Sequence, residues 1–351
     1  MKIVAVRSYL KNMALTKPYT IAYNTFSDVS LAFFEVELEN GIIGYGSGSP
    51  AEDVVGETTQ QTAVNLASEF VQNFVGRDIR QFQQIIFETI HHFPHLPGTQ
   101  AAIDIALHDA FGKLIGISVT EFYGQKIKSL PTSVTIGIKN VEETLAEAKD
   151  YKALGFKILK VKTGLDVKED IERVVKLKEQ FGNHFKIRVD ANQGYTLQDL
   201  KQFITATQGK DLELIEQPMP VGTEKELLSL SWAERKLLAA DESLKDPQAA
   251  LMLASNEKPF GIYNIKLMKC GGLTPALRMI KKARTLGLKV MMGCMTESTI
   301  GCSAIAHLLP LLDYVDMDGC LLVDDTISKG ITIEYGVVSY SNLPGTGATL
   351  L

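Results

Sequence analysis

The feature that most restricts what this chain can fold into is a recurrence in its last two-thirds. From about residue 131, short apolar runs end in a polar or charged residue, and a helical pattern follows each one: SVTIGI, ILKVKTG, FKIRVDANQ, LELIEQP, LLAADES, YNIKLMKCGG, KVMMGCMTES and YVDMDG. With Thr135, Lys162, Asp190, Glu216, Asp241, Lys266, Gly293 and Asp318 as markers, the successive spacings are 27, 28, 26, 25, 25, 27 and 25 residues. Strands alternating with helices favour a parallel sheet, and eight such units at one period predict a (β/α)8 barrel. The eighth unit reads as truncated, because VDMDG soon gives way to the strand-like GITIEYGVV.

The residues before the recurrence are of another kind. SLAFFEVELENGIIGYGSG alternates apolar and polar residues around Asn40-Gly41, a strong hairpin signal. Helical stretches follow near 58–76, 80–92 and 99–116, the last apolar around most of its circumference and so expected between layers. The expected class is α/β, a modified (β/α)8 TIM-type barrel over residues 126–321. An α+β capping domain precedes it over 1–125, and a C-terminal segment over 322–351 is expected to pack back on the cap. A chain of 351 residues is long enough for that division.

Composition excludes several classes. The net charge is -5 and no basic run occurs, which argues against a nucleic-acid partner. No apolar stretch approaches a membrane span, and MKIVAVRSYLKNMAL lacks the uninterrupted apolar core of a signal peptide, so a cytoplasmic protein is expected. The four cysteines, Cys270, Cys294, Cys302 and Cys320, have no CxxC spacing and read as buried free thiols. His91, His92 and His95 in HHFPH read as a helix end rather than a metal site.

Side chains alternate across a strand, so Lys160 and Lys162 in KILKVKTG share one face. On an exposed edge that pair means nothing. In an interior each charge disfavours the other. Polar residues at the C-terminal ends of barrel strands converge on one mouth, where active sites of this fold lie. That mouth would gather the lysine pair, Asp190, Glu216, Asp241, Lys266, and the carboxylates Asp316 and Asp318. Asp190 or Asp241 alone could be a turn cap. Three carboxylates at equal height on consecutive strands would repel unless a cation sat between them, and Mg2+ suits hard oxygen ligands. Lys162 and Lys266 flank the trio and would face a substrate from opposite sides.

The ordered set KVK (Lys160 to Lys162), DAN (Asp190 to Asn192), IEQP, ADES and NIKLMKCGG resembles the enolase superfamily, in its muconate-lactonizing branch, over nearly the whole chain. That resemblance implies one Mg2+ on Asp190, Glu216 and Asp241, acid/base lysines Lys162 and Lys266, and supporting roles for Lys160 and Asn192. A lysine base paired with Mg2+ is already described as a pattern of this superfamily. The charge of Lys160 would keep Lys162 partly neutral, as a base near pH 7 must be. The DMD triplet, Asp316 and Asp318, resembles the Asp-x-Asp element with which dipeptide epimerases of the branch hold a substrate α-ammonium; its alternative is a pair of turn-capping aspartates before Gly319. Thr135 and Met295 complete the expected substrate lining.

The reaction expected is therefore two-lysine epimerisation of a dipeptide at its C-terminal α-carbon, by an isomerase that is expected to be a homo-oligomer. N-acylamino acid racemisation, o-succinylbenzoate synthesis and cycloisomerisation share the same lysines and remain alternatives. An acid-sugar dehydratase is disfavoured because His307 falls in a helical run, and a non-catalytic binding module would not need both lysines. Where epimerases that prefer an acidic second residue resemble PFKTALRT, this chain reads PYTIAYNT, with Asn24 at the arginine position and Ile21 and Tyr23 nearby. The expectation is L-Ala followed by an uncharged, apolar residue, with Lys17 as a conceivable replacement cation. Glu297 and Ser298 are given no catalytic role, Lys269 reads equally as a solvated loop residue, and Trp232 reads as packing.

Overall fold

A computed structural model of the chain describes residues 1–20, 25–254 and 257–351. Strands β1 (Ile3–Thr20), β2 (Thr25–Leu38) and β3 (Ile43–Gly48) form an antiparallel sheet in sequence order. The β2–β3 turn falls at Asn40-Gly41 as expected: Gly41 takes φ 82°, and the Asn40 side chain accepts from the Ile42 amide. The helix expected over 58–76 is broken. Thr59–Leu66 and Glu69–Gln72 are separate because Ser68 is extended at φ −66° and ψ 158°.

The helix Pro97–Ile115 is buried along most of its length, as its apolar circumference requires. It lies directly on β3, where an added Cβ at Gly46 would sit 2.0 Å from the Ala102 carbonyl oxygen. Its first turn is satisfied by one buried carboxylate: Glu57 accepts from the amides of Gly98 at 2.6 Å and Thr99 at 2.9 Å.

Eight parallel strands follow in sequence order: β4 (Val134–Ile136), β5 (Ile158–Lys162), β6 (Lys186–Asp190), β7 (Leu212–Glu216), β8 (Leu238–Ala240), β9 (Ile262–Lys266), β10 (Lys289–Gly293) and β11 (Tyr314–Asp316). A parallel bridge between Thr132 and Val315 closes the seam between β11 and β4. The eighth unit is short as expected, with only the helix Gly319–Leu322 after β11. From the tail, the Gly345 amide donates to the Ile117 carbonyl and its carbonyl accepts from the Val119 amide, while Thr346 donates to Asp109. Tyr340 also donates to the Ala306 carbonyl in the barrel.

Cap and barrel are locked together near the strand ends. Asp104, on the buried cap helix, accepts from the amides of Leu273 at 2.7 Å and Thr274 at 3.2 Å, the first turn of the helix Leu273–Thr285 that follows β9. Ser49 of the cap donates to the Thr296 carbonyl, and Ser47 shares a hydrogen bond with Ser298. Trp232 is 44% exposed rather than packed, because the helix it opens stops at Arg235 and the chain turns into β8. All four cysteines are free, but only Cys270 and Cys302 are fully buried.

Candidate active site

Parallel pairing puts Lys162 beside Asp190, and Asp190 beside Glu216, at the top of β5, β6 and β7. Lys266 ends β9, while Asp241 lies one residue beyond β8. The equal height inferred from the spacing is thus present, and Lys162, Asp241 and Lys266 line a cavity of about 710 Å³ between the barrel mouth and the cap, together with Lys160, Asn192, Asp316 and Asp318. Asp190 and Glu216 are fully buried behind that lining, in contact with Lys160.

The site is a lattice of opposite charges. Lys160 Nζ lies 2.9 Å from Asp190, 3.0 Å from Glu216 and 2.8 Å from Asp316. Burial works against its charge, but Asp190, Asp316 and Glu216 outweigh it and hold its pKa well above the ordinary lysine value. Lys162 donates to Asp190 at 2.7 Å and to Asn192 Oδ1 at 2.9 Å. Lys266 donates to Asp241 at 2.8 Å, and despite burial that carboxylate raises its pKa. Both lysines expected as bases therefore hold carboxylates expected as metal ligands. No three of the described His, Cys, Asp and Glu side chains converge tightly enough to chelate an ion as they stand.

The donor set nevertheless fits a hard divalent cation. Three buried carboxylates offer oxygen only, and Glu216 Oε2 makes no hydrogen bond although Lys160 stands near it. Burial, with Asp190 next in weight, pushes the Glu216 carboxyl up to about 8 against the opposing pull of Lys160. Its Oε1 is oriented by Asn264 at 2.8 Å.

Asp316 accepts from Ser133 at 2.6 Å as well as from Lys160, and Asp318 accepts from the Thr135 amide at 2.8 Å. Burial and the neighbouring Asp316 charge push Asp318 up to about 6. Thr135 and Met295 border the cavity. Asn24, Ile21 and Tyr23 lie outside the described residues, as does the side chain of Lys17.

Several participants escaped the sequence reading. Lys269 is no solvated loop residue: it is 3% exposed and donates to the Asp241 carboxylate, the Asp241 carbonyl and the Asn264 carbonyl. Asn264 and Arg188 stand two residues before Lys266 and Asp190, so the alternation that paired Lys160 with Lys162 was signal enough to place them inward. Glu52, Asp53 and Asp28 give the cap side of the cavity an acidic rim, which only the docking of cap on barrel creates.

Comparison with known proteins agrees with this architecture. Residues 3–124 match the mandelate racemase / muconate lactonizing enzyme N-terminal domain, and residues 143–351 match the enolase C-terminal domain-like family. An L-Lys-D/L-Arg epimerase from Desulforapulum autotrophicum is 42% identical over 351 residues, 99% of each chain. An epimerase of that description from Methylococcus capsulatus is 40% identical, again over 99% of each. A crystal structure of the M. capsulatus dipeptide epimerase, complexed with Mg and L-Arg-D-Lys, superposes with a TM-score of 0.96 at 39% identity, covering 99% of this chain and 100% of that one. The chain belongs to the mandelate racemase / muconate lactonizing enzyme family of the enolase superfamily, among its dipeptide epimerases.

Proposed function

We propose that this chain is a Mg2+-dependent dipeptide epimerase that inverts the α-carbon of the second residue by two-lysine proton transfer, and that its preferred dipeptides carry positive side chains. Asp190, Glu216 and Asp241 would hold the ion, which when bound supplies Lewis-acid stabilisation of the charge that develops as the α-proton leaves. Lys162 and Lys266 stand on strands either side of the carboxylates. One takes the α-proton as a neutral amine, and the other, as an ammonium, returns a proton to the opposite face. Hydrogen bonds to Asp190 and Asp241 keep the two amines at the strand ends, on either side of the position the ion would take. Lys160, engaged by three carboxylates, keeps its positive charge beside the reaction. Asp316 and Asp318 would take the substrate's α-ammonium.

The observation that carries the substrate class is the acidic rim of Asp28, Glu52 and Asp53 on the cap side of the cavity. The loop that lacks an arginine argued for an uncharged second residue, but a missing cation disfavours only an acidic side chain. A rim of carboxylates favours lysine or arginine by raising their local concentration. The names of the two relatives above, and the L-Arg-D-Lys bound to one of them, support the same reading.

The test is kcat/KM for L-Lys-L-Arg against L-Ala-L-Val and L-Ala-L-Glu, followed in D2O by mass spectrometry. L-Lys-L-Arg should lead, with Glu52→Lys/Asp53→Lys lowering that preference and added salt flattening it. A lead for L-Ala-L-Val would restore the apolar second residue. Turnover of N-acylated but not free-amine substrates would favour an N-acylamino acid racemase.

A further inference from the structure

Beneath the cavity floor a second polar chain runs through the barrel. Glu213, on β7, accepts from Arg188 Nε at 2.6 Å. Arg188, on β6 and 1% exposed, directs Nη1 to the Val315 carbonyl and, at 3.1 Å, to Ser133 Oγ. Ser133, immediately before β4 and fully buried, donates to Asp316 at 2.6 Å, and the other oxygen of Asp316 meets Lys160. Neither Arg188 nor Ser133 borders the cavity. The chain therefore reaches the site through Asp316.

Its polarity is fixed by chemistry. A guanidinium has donors and no acceptor, so the Ser133 hydroxyl cannot give its proton to Arg188. That proton must point at Asp316, while a lone pair of the Ser133 oxygen accepts from Arg188. The result is a one-way series of donors from a permanently charged arginine to one chosen oxygen of Asp316. A carboxylate held at one oxygen by a hydroxyl and at the other by an ammonium has lost its freedom to turn about its terminal bond. Fixed groups of this kind bind a charged ligand without a reorientation cost.

We propose that Ser133, oriented by Arg188, is a positioning residue for Asp316 that sets the carboxylate edge offered to the dipeptide's α-ammonium. The inference rests on the reading that Asp316 receives this ammonium. A purely structural role, in which Ser133 and Arg188 only fill the barrel with satisfied polar groups, makes a different prediction: loss of the hydroxyl would lower stability and leave substrate affinity unchanged in the folded enzyme. The ammonium contact exists before and during proton transfer alike, so its loss belongs in KM rather than kcat.

The experiment compares Ser133→Ala, Ser133→Thr, Asp316→Asn and the double variant Ser133→Ala/Asp316→Asn, as full-length Mg2+-loaded enzyme with L-Lys-L-Arg. Asp316→Asn should raise KM on the order of ten- to a hundredfold, the loss expected for a charged hydrogen bond. Ser133→Ala should raise KM roughly tenfold with kcat within about twofold, Ser133→Thr should recover most of the loss, and the double variant should be no worse than Asp316→Asn alone. If Ser133→Ala does not fold, Ser133→Cys fills the same space without a strong donor and takes its place. The proposal is overturned if Ser133→Ala leaves KM unchanged while Asp316→Asn raises it, or if the two effects add in the double variant. An unchanged KM in Asp316→Asn would instead remove the ammonium reading, and the proposal with it.

Discussion

Gly272 ends the KCGG run and is where the barrel touches the cap. It adopts φ 115° and ψ −167°, a region that side chains other than hydrogen rarely enter, at roughly 1–3 kcal/mol for another residue. A Cβ built there would lie 2.6 Å from both Cβ and Cγ of Asp104. Asp104 is fully buried and cannot step aside without lengthening its bonds to the Leu273 and Thr274 amides, each worth on the order of 1.5–3 kcal/mol when made to a charged acceptor. Gly272→Ala should therefore cost about 4 kcal/mol or more, a large share of the roughly 5–15 kcal/mol that holds a typical protein folded. Gly287 provides the control. It also has positive φ, at 68°, but nothing lies within 4 Å of its added Cβ, so Gly287→Ala should cost only about 1–2 kcal/mol of backbone strain. Urea unfolding followed by far-UV circular dichroism measures both, and limited proteolysis shows whether the cap is released first. Equal losses at the two glycines would refute the view that Asp104 locks the cap to the barrel.

Chelation should abolish turnover and added Mg2+ restore it, and Asp241→Asn assayed at limiting Mg2+ should lose roughly tenfold or more in activity; full activity there would contradict its place in the donor set. Lys162→Ala and Lys266→Ala should each slow α-deuterium exchange of one epimer by about 10²–10⁴-fold while sparing the other more, and wild-type exchange of both epimers in both variants would rule out the two-base mechanism. Burial pushes the Glu297 carboxyl from its ordinary 4.5 up to about 7, so the folded chain keeps that proton to higher pH than the unfolded chain does. The stability this contributes is present below pH 4.5 and is lost as pH rises to about 7. Glu297→Gln should flatten that slope by on the order of 2–3 kcal/mol, read from urea midpoints between pH 4.5 and 7.5, and an unchanged slope would mean the group does not titrate there.

The spacing of Lys162, Asp190, Glu216 and Lys266 was enough to place them together at strand ends, because a barrel strand and its helix consume a nearly constant length of chain and parallel pairing keeps strand ends level. Alternation along a strand likewise made Lys160 and Lys162 neighbours on one face. These are properties of a single repeating unit, and a linear sequence carries them. What Lys160 does with its charge is of another order. The sequence reading set it against Lys162; in the fold it is held by Asp190, Glu216 and Asp316, from three other strands.

Lys269 shows the same limit more sharply. One turn beyond Lys266 it looked like a loop residue, and only the packing of the short helix Leu267–Cys270 under the cap turns it inward onto Asp241. The acidic rim joins Asp28 to Glu52 and Asp53 across the mouth of a cavity whose floor comes from residues more than a hundred positions away. The local repeat thus determined the barrel and the height of its polar residues, since both follow from periods of two residues and of one strand-plus-helix unit. Tertiary structure alone decided which charges meet, because Coulomb and hydrogen-bond energies depend on separations of a few ångströms between side chains whose distance along the chain is unrelated to their distance in space.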